Sequence, residues 1–359
     1  MKTFILAAVI CVLSLSANSQ GCIIVRNVSG LGQYNLTSNS FSTANWQFSN
    51  TNRYFRAYRD YIGDKDQHTP LPNQNDIRSF SSNFDITRLL TRGWSLDMGF
   101  PISSNSRTTD LEHGGKNTPR YTTRAFGMGD LTFTVYKWLF KPNDKGNIQL
   151  GLGMKFPTGD FKKQDYFHHG YNPATGTDTT RVLSLVNPSI QLGDGGTGVI
   201  TDVNAFYFLG QRKAYNLYAN VYYLISPVDV NGTQYTFGLP ETPGGILLGS
   251  YDVSVPDVYS IRFGIDYNTK SWTYSLGLRD EGVPVHDLFG GSNGLRRDGY
   301  TVSIEPGITY KIKNTAIFFY GPFLLAHKIK ESVLEKAQGA AKTGGSGDYQ
   351  IYFGIQFQL

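Results

Sequence analysis

The chain has 359 residues, with 33 Lys and Arg against 28 Asp and Glu, for a formal net charge of +5. Charged residues are only 17%, against about a quarter in an ordinary soluble domain, while aromatics reach 14% and glycines number 40. So mild a positive balance argues against a nucleic-acid partner, and the composition favours strands and turns over helices.

The first residues, "MKTFILAAVICVLSLSANSQ", give a positive Lys2, an apolar run too short to span a bilayer, and a small-x-small site at Ala17-Asn18-Ser19. They read as a secretory signal peptide over 1–19. Cys22 then remains the single cysteine of the mature chain, which excludes an intramolecular disulfide and a Cys-based metal site. Acylation of Cys22 is disfavoured, because the preceding Ser19-Gln20-Gly21 lacks the usual apolar residue. Residues 20–44 form a periplasmic extension or a partial plug, since Ile23, Ile24 and Val25 want burial.

Residues 45–359 read as one antiparallel barrel. Period-2 alternation predicts twelve strands near 45–58, 81–91, 93–103, 125–140, 147–157, 197–210, 213–225, 257–269, 270–281, 299–312, 314–326 and 348–359. The first is the least clear, because "NWQFSNTNRYFRAYRDY" alternates poorly. In "WTYSLGL" one face carries Trp272, Tyr274, Leu276 and Leu278, and the other Thr273, Ser275, Gly277 and Arg279. The polar faces are rich in Gly, Ser and Gln rather than Lys and Glu, and the apolar faces carry aromatics near their ends. Apolar outward, polar inward and aromatic girdles are the pattern of a transmembrane up-and-down barrel. The inward set supplies the expected pore-lining residues Asp97, Lys155, Arg262, Asp266, Arg279 and Glu305. On the lipid face the basic ones would cost up to ~2–4 kcal/mol each at mid-depth.

Connection lengths test that register independently. After strands two, four, six, eight and ten they are short, as in "NTKS" and "KN"; after the odd strands they are long. Short periplasmic turns and long outer loops follow this rule, and an even count returns both termini to the periplasm. The final stretch, "DYQIYFGIQFQL", alternates to the last residue, as a strand does that pairs with the first and leaves no edge. It also has the form of a signal for outer-membrane assembly machinery. Membrane lipids are thus expected partners.

Several motifs bear on chemistry. "PTGD" at 157–160 and "GDGG" at 193–196 flank the longest loop, as tight turns or as a gate. The G-x-G-x-x-G spelled by 193–198 precedes a strand, so a phosphate loop is excluded. "RDEGVPVHDLFGGSNGLRRDGY", taken as the fifth outer loop from Arg279, gathers Asp280, Glu281, His286, Asp287, Arg296 and Arg297. These are candidates for a charged eyelet or for an ion-pair network that fixes the loop. His168 and His169 are too few and too close for a metal site, and none is assigned. His327 sits at the height expected of an outer-membrane lipid hydrolase, but spacing places no Ser/His/Asn set around it. No catalytic residue and no cofactor is expected.

The stretches "GCIIVRN", "GMGDLTFTVYKWLF", "NIQLGLGMKFPTGDF", "SIQLGDGGTG", "SVPDVYSIRFGIDY" and the fifth-loop segment resemble a Bacteroidetes outer-membrane family grouped with the MetA-pathway of phenol degradation. The resemblance implies an outer-membrane barrel of a Gram-negative bacterium that passes small compounds, aromatic or amphipathic ones among them. Two other readings stand beside this channel or facilitator. One is a non-conducting barrel that displays its loops for adhesion or assembly; the other is the lipid hydrolase.

Overall fold

The computed structural model describes residues 46–68, 74–90, 93–115, 118–141, 145–247, 249–339, 343–345 and 347–359. The expected signal peptide, Cys22 and the 20–44 extension lie outside them. Twelve antiparallel strands close into a barrel. They are β1 (Trp46–Ala57), β2 (Asp76–Leu89), β3 (Trp94–Thr109), β4 (Tyr121–Met128 and Leu131–Trp138), β5 (Gly146–Phe156) and β6 (Gly198–Leu209). The sheet continues with β7 (Tyr215–Ile225), β8 (Val258–Asn268), β9 (Trp272–Val283), β10 (Asp298–Ile312), β11 (Thr315–Tyr320 and Phe323–Lys330) and β12 (Tyr349–Gln358). Each pairs with its chain neighbour, and β1 pairs with β12. The seam is sealed to its end: Trp46 N donates to Leu359 O (3.1 Å), and Leu359 N donates to Trp46 O (2.9 Å). No backbone edge is left for lipid, which could not satisfy one.

Two expected strands are broken. The strand expected at 125–140 begins earlier and splits at Gly129-Asp130; the one expected at 314–326 splits at Gly321-Pro322. Pro322 has no N–H for the ladder, and Gly321 N instead reaches back to Pro306 O (3.0 Å). The weak alternation of β1 has a physical cause as well. Asn50 and Asn52 stand on its outer face and satisfy one another there. Asn52 Nδ2 donates to Asn50 Oδ1 (2.7 Å), and Asn50 Nδ2 donates to Ser82 Oγ (2.7 Å).

The outer face carries the apolar set. Phe263 and Leu276 are about half exposed, and so are their like on every wall. Near the short-turn end Trp46, Trp94 and Trp272 are exposed, and Trp272 packs on Tyr310 with ring centroids 4.6 Å apart. This is the interfacial aromatic rim of a membrane barrel. Beyond the other rim the long connections form structure of their own, including a hairpin of Gln164–Asn172 with Thr177–Leu185 and a helix at Val333–Gln338. The helix has a capping box between Ser332 and Glu335. Among the described residues no helix is long and apolar enough to cross a membrane.

Candidate functional site: a cavity beside a charged wall

The bore is divided. On the side of β8, β9, β10 and β12, alternation turns Arg262, Arg279, Glu281, Glu305, Gln350 and Tyr352 inward, and they lock together. Glu305 accepts from Arg262 Nε (2.9 Å) and from Arg279 Nε (2.6 Å). Arg279 Nη1 also reaches Glu281 Oε2 (3.1 Å), and Gln350 Nε2 donates to Glu281 Oε1 (2.6 Å). Tyr352 OH donates to Gln350 Oε1 (2.8 Å), and the Arg279 guanidinium lies 4.7 Å from the Tyr352 ring centroid. Arg262, Arg279 and Glu305 are each about 1% exposed, so this wall is filled with protein rather than open. Asp266, lower on β8, accepts from Ser275 Oγ (2.6 Å) and Asn216 Nδ2 (3.0 Å).

A cavity of about 330 Å³ lies mainly against β1–β7, with Val258, Val283 and Gln356 completing its lining from the barrel wall. Asp97 and Lys155 line it; Arg262, Asp266, Arg279 and Glu305 do not. Its lower part holds Asp85, Asp97 and Asp202. Ser49 Oγ donates to Asp85 Oδ2 (2.9 Å), Thr87 Oγ1 to Asp97 Oδ1 (2.6 Å), and Tyr136 OH to Asp202 Oδ2 (2.9 Å). Gly99 makes room for this group: a Cβ there would stand 2.7 Å from both Asp85 Oδ1 and Thr132 Oγ1.

The roof is the connection between β5 and β6, folded inward. Val186, Ile190 and Leu192 pack with Phe55, Ala57, Ile77 and Ala125 of the barrel mouth. Asn105 Nδ2 donates to Ile190 O (3.1 Å), and Asn187 caps a short 3-10 turn by accepting from Ser189 N (3.0 Å). "PTGD" and "GDGG" meet at this roof around Asp130, which lies in the break of β4. Asp130 Oδ1 accepts from Gly159 N (2.9 Å), Lys155 Nζ lies 3.3 Å from Asp130 Oδ2, and Lys155 also pairs with Asp194. Asp194 Oδ1 accepts from Gly196 N (2.9 Å) around Gly195, whose φ is +81°. The motifs are therefore tight turns, as one sequence reading has it, and they anchor the in-folded segment.

The fifth-loop candidates divide. The loop does not begin at Arg279: β9 continues to Val283, still paired with Gly299 of β10, so Arg279, Asp280 and Glu281 are strand residues. Alternation then turns Asp280 outward, where Tyr259 OH donates to it (3.4 Å). His286 is exposed. Asp287 and Asp298 grip Arg296, at 2.7 Å each, and Arg297 Nη1 reaches Glu335 Oε1 (3.3 Å). Arg296 and Arg297 meet the outer end of the cavity. What sequence reasoning missed is the inward path of 186–194; its alternation of Val186, Ile190 and Leu192 with polar residues is too short to be told from an ordinary loop.

A family model described as "Putative MetA-pathway of phenol degradation" matches residues 108–185, a minor part of the chain. A search of curated protein sequences finds no match. Among solved structures, an outer membrane channel from Pseudomonas putida F1 is similar at 11% identity and a TM-score of 0.55, covering 90% of this chain and 98% of that one. The CymD monoaromatic hydrocarbon channel is 8% identical with a TM-score of 0.45, covering 94% of each chain. The closed barrel with an apolar, aromatic-rimmed exterior is the architecture of an outer-membrane protein.

Proposed function

We propose that this chain is an outer-membrane channel for the passive passage of small molecules, aromatic and amphipathic ones among them. The observation that carries the reading is the cavity. Its wall sets Tyr136, Tyr222, Pro101 and Leu192 beside carboxylates and amides, so a ring and a polar group on one solute both find partners. The family-model description and a fold shared with an outer membrane channel support it. In this reading Asp97 and Lys155 face the passing solute. Arg262, Asp266, Arg279 and Glu305 hold the wall opposite, and Arg296 and Arg297 form the outer constriction. The motif resemblance supports a Bacteroidetes source, and the alternation of β12 supports recognition by outer-membrane assembly machinery.

Liposome swelling tests the reading with arbutin, a phenol glucoside, against an alkyl glucoside of similar size. Faster swelling with arbutin is expected, and equal rates would remove the aromatic preference. A flat planar-bilayer trace from folded protein would favour the non-conducting display barrel, for which the ordered outer hairpins speak. His327 packs against Tyr61 with ring centroids 4.0 Å apart and the ring planes tilted by 58°. Loss of lipid turnover in His327→Ala is what the hydrolase reading would require.

A further inference from the structure

The lower cavity holds more carboxyl groups than a neutral solute needs. Asp85 and Asp97 are diagonal neighbours on the inward face of β2 and β3, Asp85 opposite Gly99 and Asp97 opposite Thr87, and both line the cavity. Neither forms an ion pair with Lys or Arg among the described residues, and the cavity's Lys155 is taken by Asp130 and Asp194. Two carboxylates sharing a poorly solvated space repel one another, and an entering cation relieves that repulsion.

A second observation points to the same place. Gln356 of β12 is 1% exposed, lines this cavity, and among the described residues has no hydrogen-bond partner for either its amide nitrogen or its amide oxygen. A buried amide left unpaired costs about 1–3 kcal/mol, so it signals a missing partner. Its register places it beside the acids: Gln356 is opposite Ser49, and Ser49 is opposite Asp85. The row therefore runs from an unpaired amide, through a serine already donating to Asp85, to the two carboxylates.

We propose that this corner binds the ammonium group of an organic amine, with the amine's apolar body against Tyr136, Pro101 and Leu192. Asp97 and Asp85 supply the countercharge, and the Gln356 amide oxygen accepts one ammonium hydrogen. A cavity of about 330 Å³ is far larger than a bare ion requires, which favours an amine with an apolar body. The proposal names what the cavity of the channel reading holds and rests on that reading only for how the solute arrives.

The test is isothermal titration calorimetry of the full chain, folded in non-ionic detergent, with 2-phenylethylammonium, 2-phenylethanol, phenylacetate and methylammonium. The expected result is binding of 2-phenylethylammonium at least about tenfold tighter than of the other three. Asp97→Asn is expected to weaken it at least about tenfold and Gln356→Leu by a smaller factor, with heat-modifiable gel mobility reporting that each variant is folded. Equal affinity for the alcohol, the carboxylate or methylammonium overturns the proposal, and so does unchanged affinity in a folded Asp97→Asn. Should both variants misfold, the comparison of the four ligands on the natural chain decides alone. Arbutin passage without amine binding refutes this inference and leaves the channel. Amine binding by a barrel with a flat bilayer trace does the reverse.

Discussion

At the scale of single residues, Glu305 holds the most. It is fully buried and accepts from two arginines that are themselves buried. Replacing it by Gln leaves two guanidinium groups short of countercharge in a dry wall. Glu305→Gln should cost about 3–5 kcal/mol, read as a lower urea midpoint or a lower temperature for loss of heat-modifiable mobility. The comparison residue is Asp280, on the outer face, where Tyr259 OH donates to it over 3.4 Å; Asp280→Asn should change the midpoint little. Alternation alone separates the two roles, since Asp280 stands next to Arg279 in sequence and on the opposite face in space.

At the scale of elements, the in-folded segment 186–194 decides how open the bore is. Its attachment is apolar through Val186, Ile190 and Leu192 and polar through Asn187 and Asp194. The double variant Ile190→Ser, Leu192→Ser should release it and raise single-channel conductance several-fold while the barrel stays folded. The outer hairpin that follows β5 packs on His113 of the connection between β3 and β4, and this contact adds a pH response. His113 accepts from His168 N (3.1 Å) and stacks on Phe167, with centroids 5.3 Å apart. Burial pushes its imidazole down from the ordinary 6.5 to about 4. The folded loop then binds fewer protons than the unfolded one between those values, so stability is present above about 6.5 and is lost as pH falls towards 4. Protease cleavage within 164–185 should accelerate over that window, and His113→Gln should flatten the response.

At the scale of the whole molecule, the apolar belt fixes everything else. Leu276 lies half exposed in the middle of β9, and Leu276→Arg should destabilise the barrel by about 2–4 kcal/mol, measured by equilibrium unfolding in lipid vesicles. This belt is also why so much of the fold was legible. A bilayer outside and polar contacts inside force strict alternation, and all twelve strands follow from it, down to Leu359 at the seam. Reading failed where that constraint lapses, at the breaks beside Gly129 and Pro322 and in the outer connections; β1 was found but was the least clear, because Asn50 and Asn52 pair with one another on its outer face. The candidate site was half legible. Alternation turned Asp97, Lys155, Arg262 and Glu305 inward. Which of them touch open space and which fill it depends on partners two or more strands away, which no single strand reveals.

The one-sided filling of the bore also bears on engineering. Anyone wishing to widen this protein into a nanopore would have to dismantle the Arg262–Glu305–Arg279–Glu281 cluster as a unit, exchanging all four for small neutral side chains. Single exchanges would strand a charge and weaken the scaffold before they enlarged the aperture.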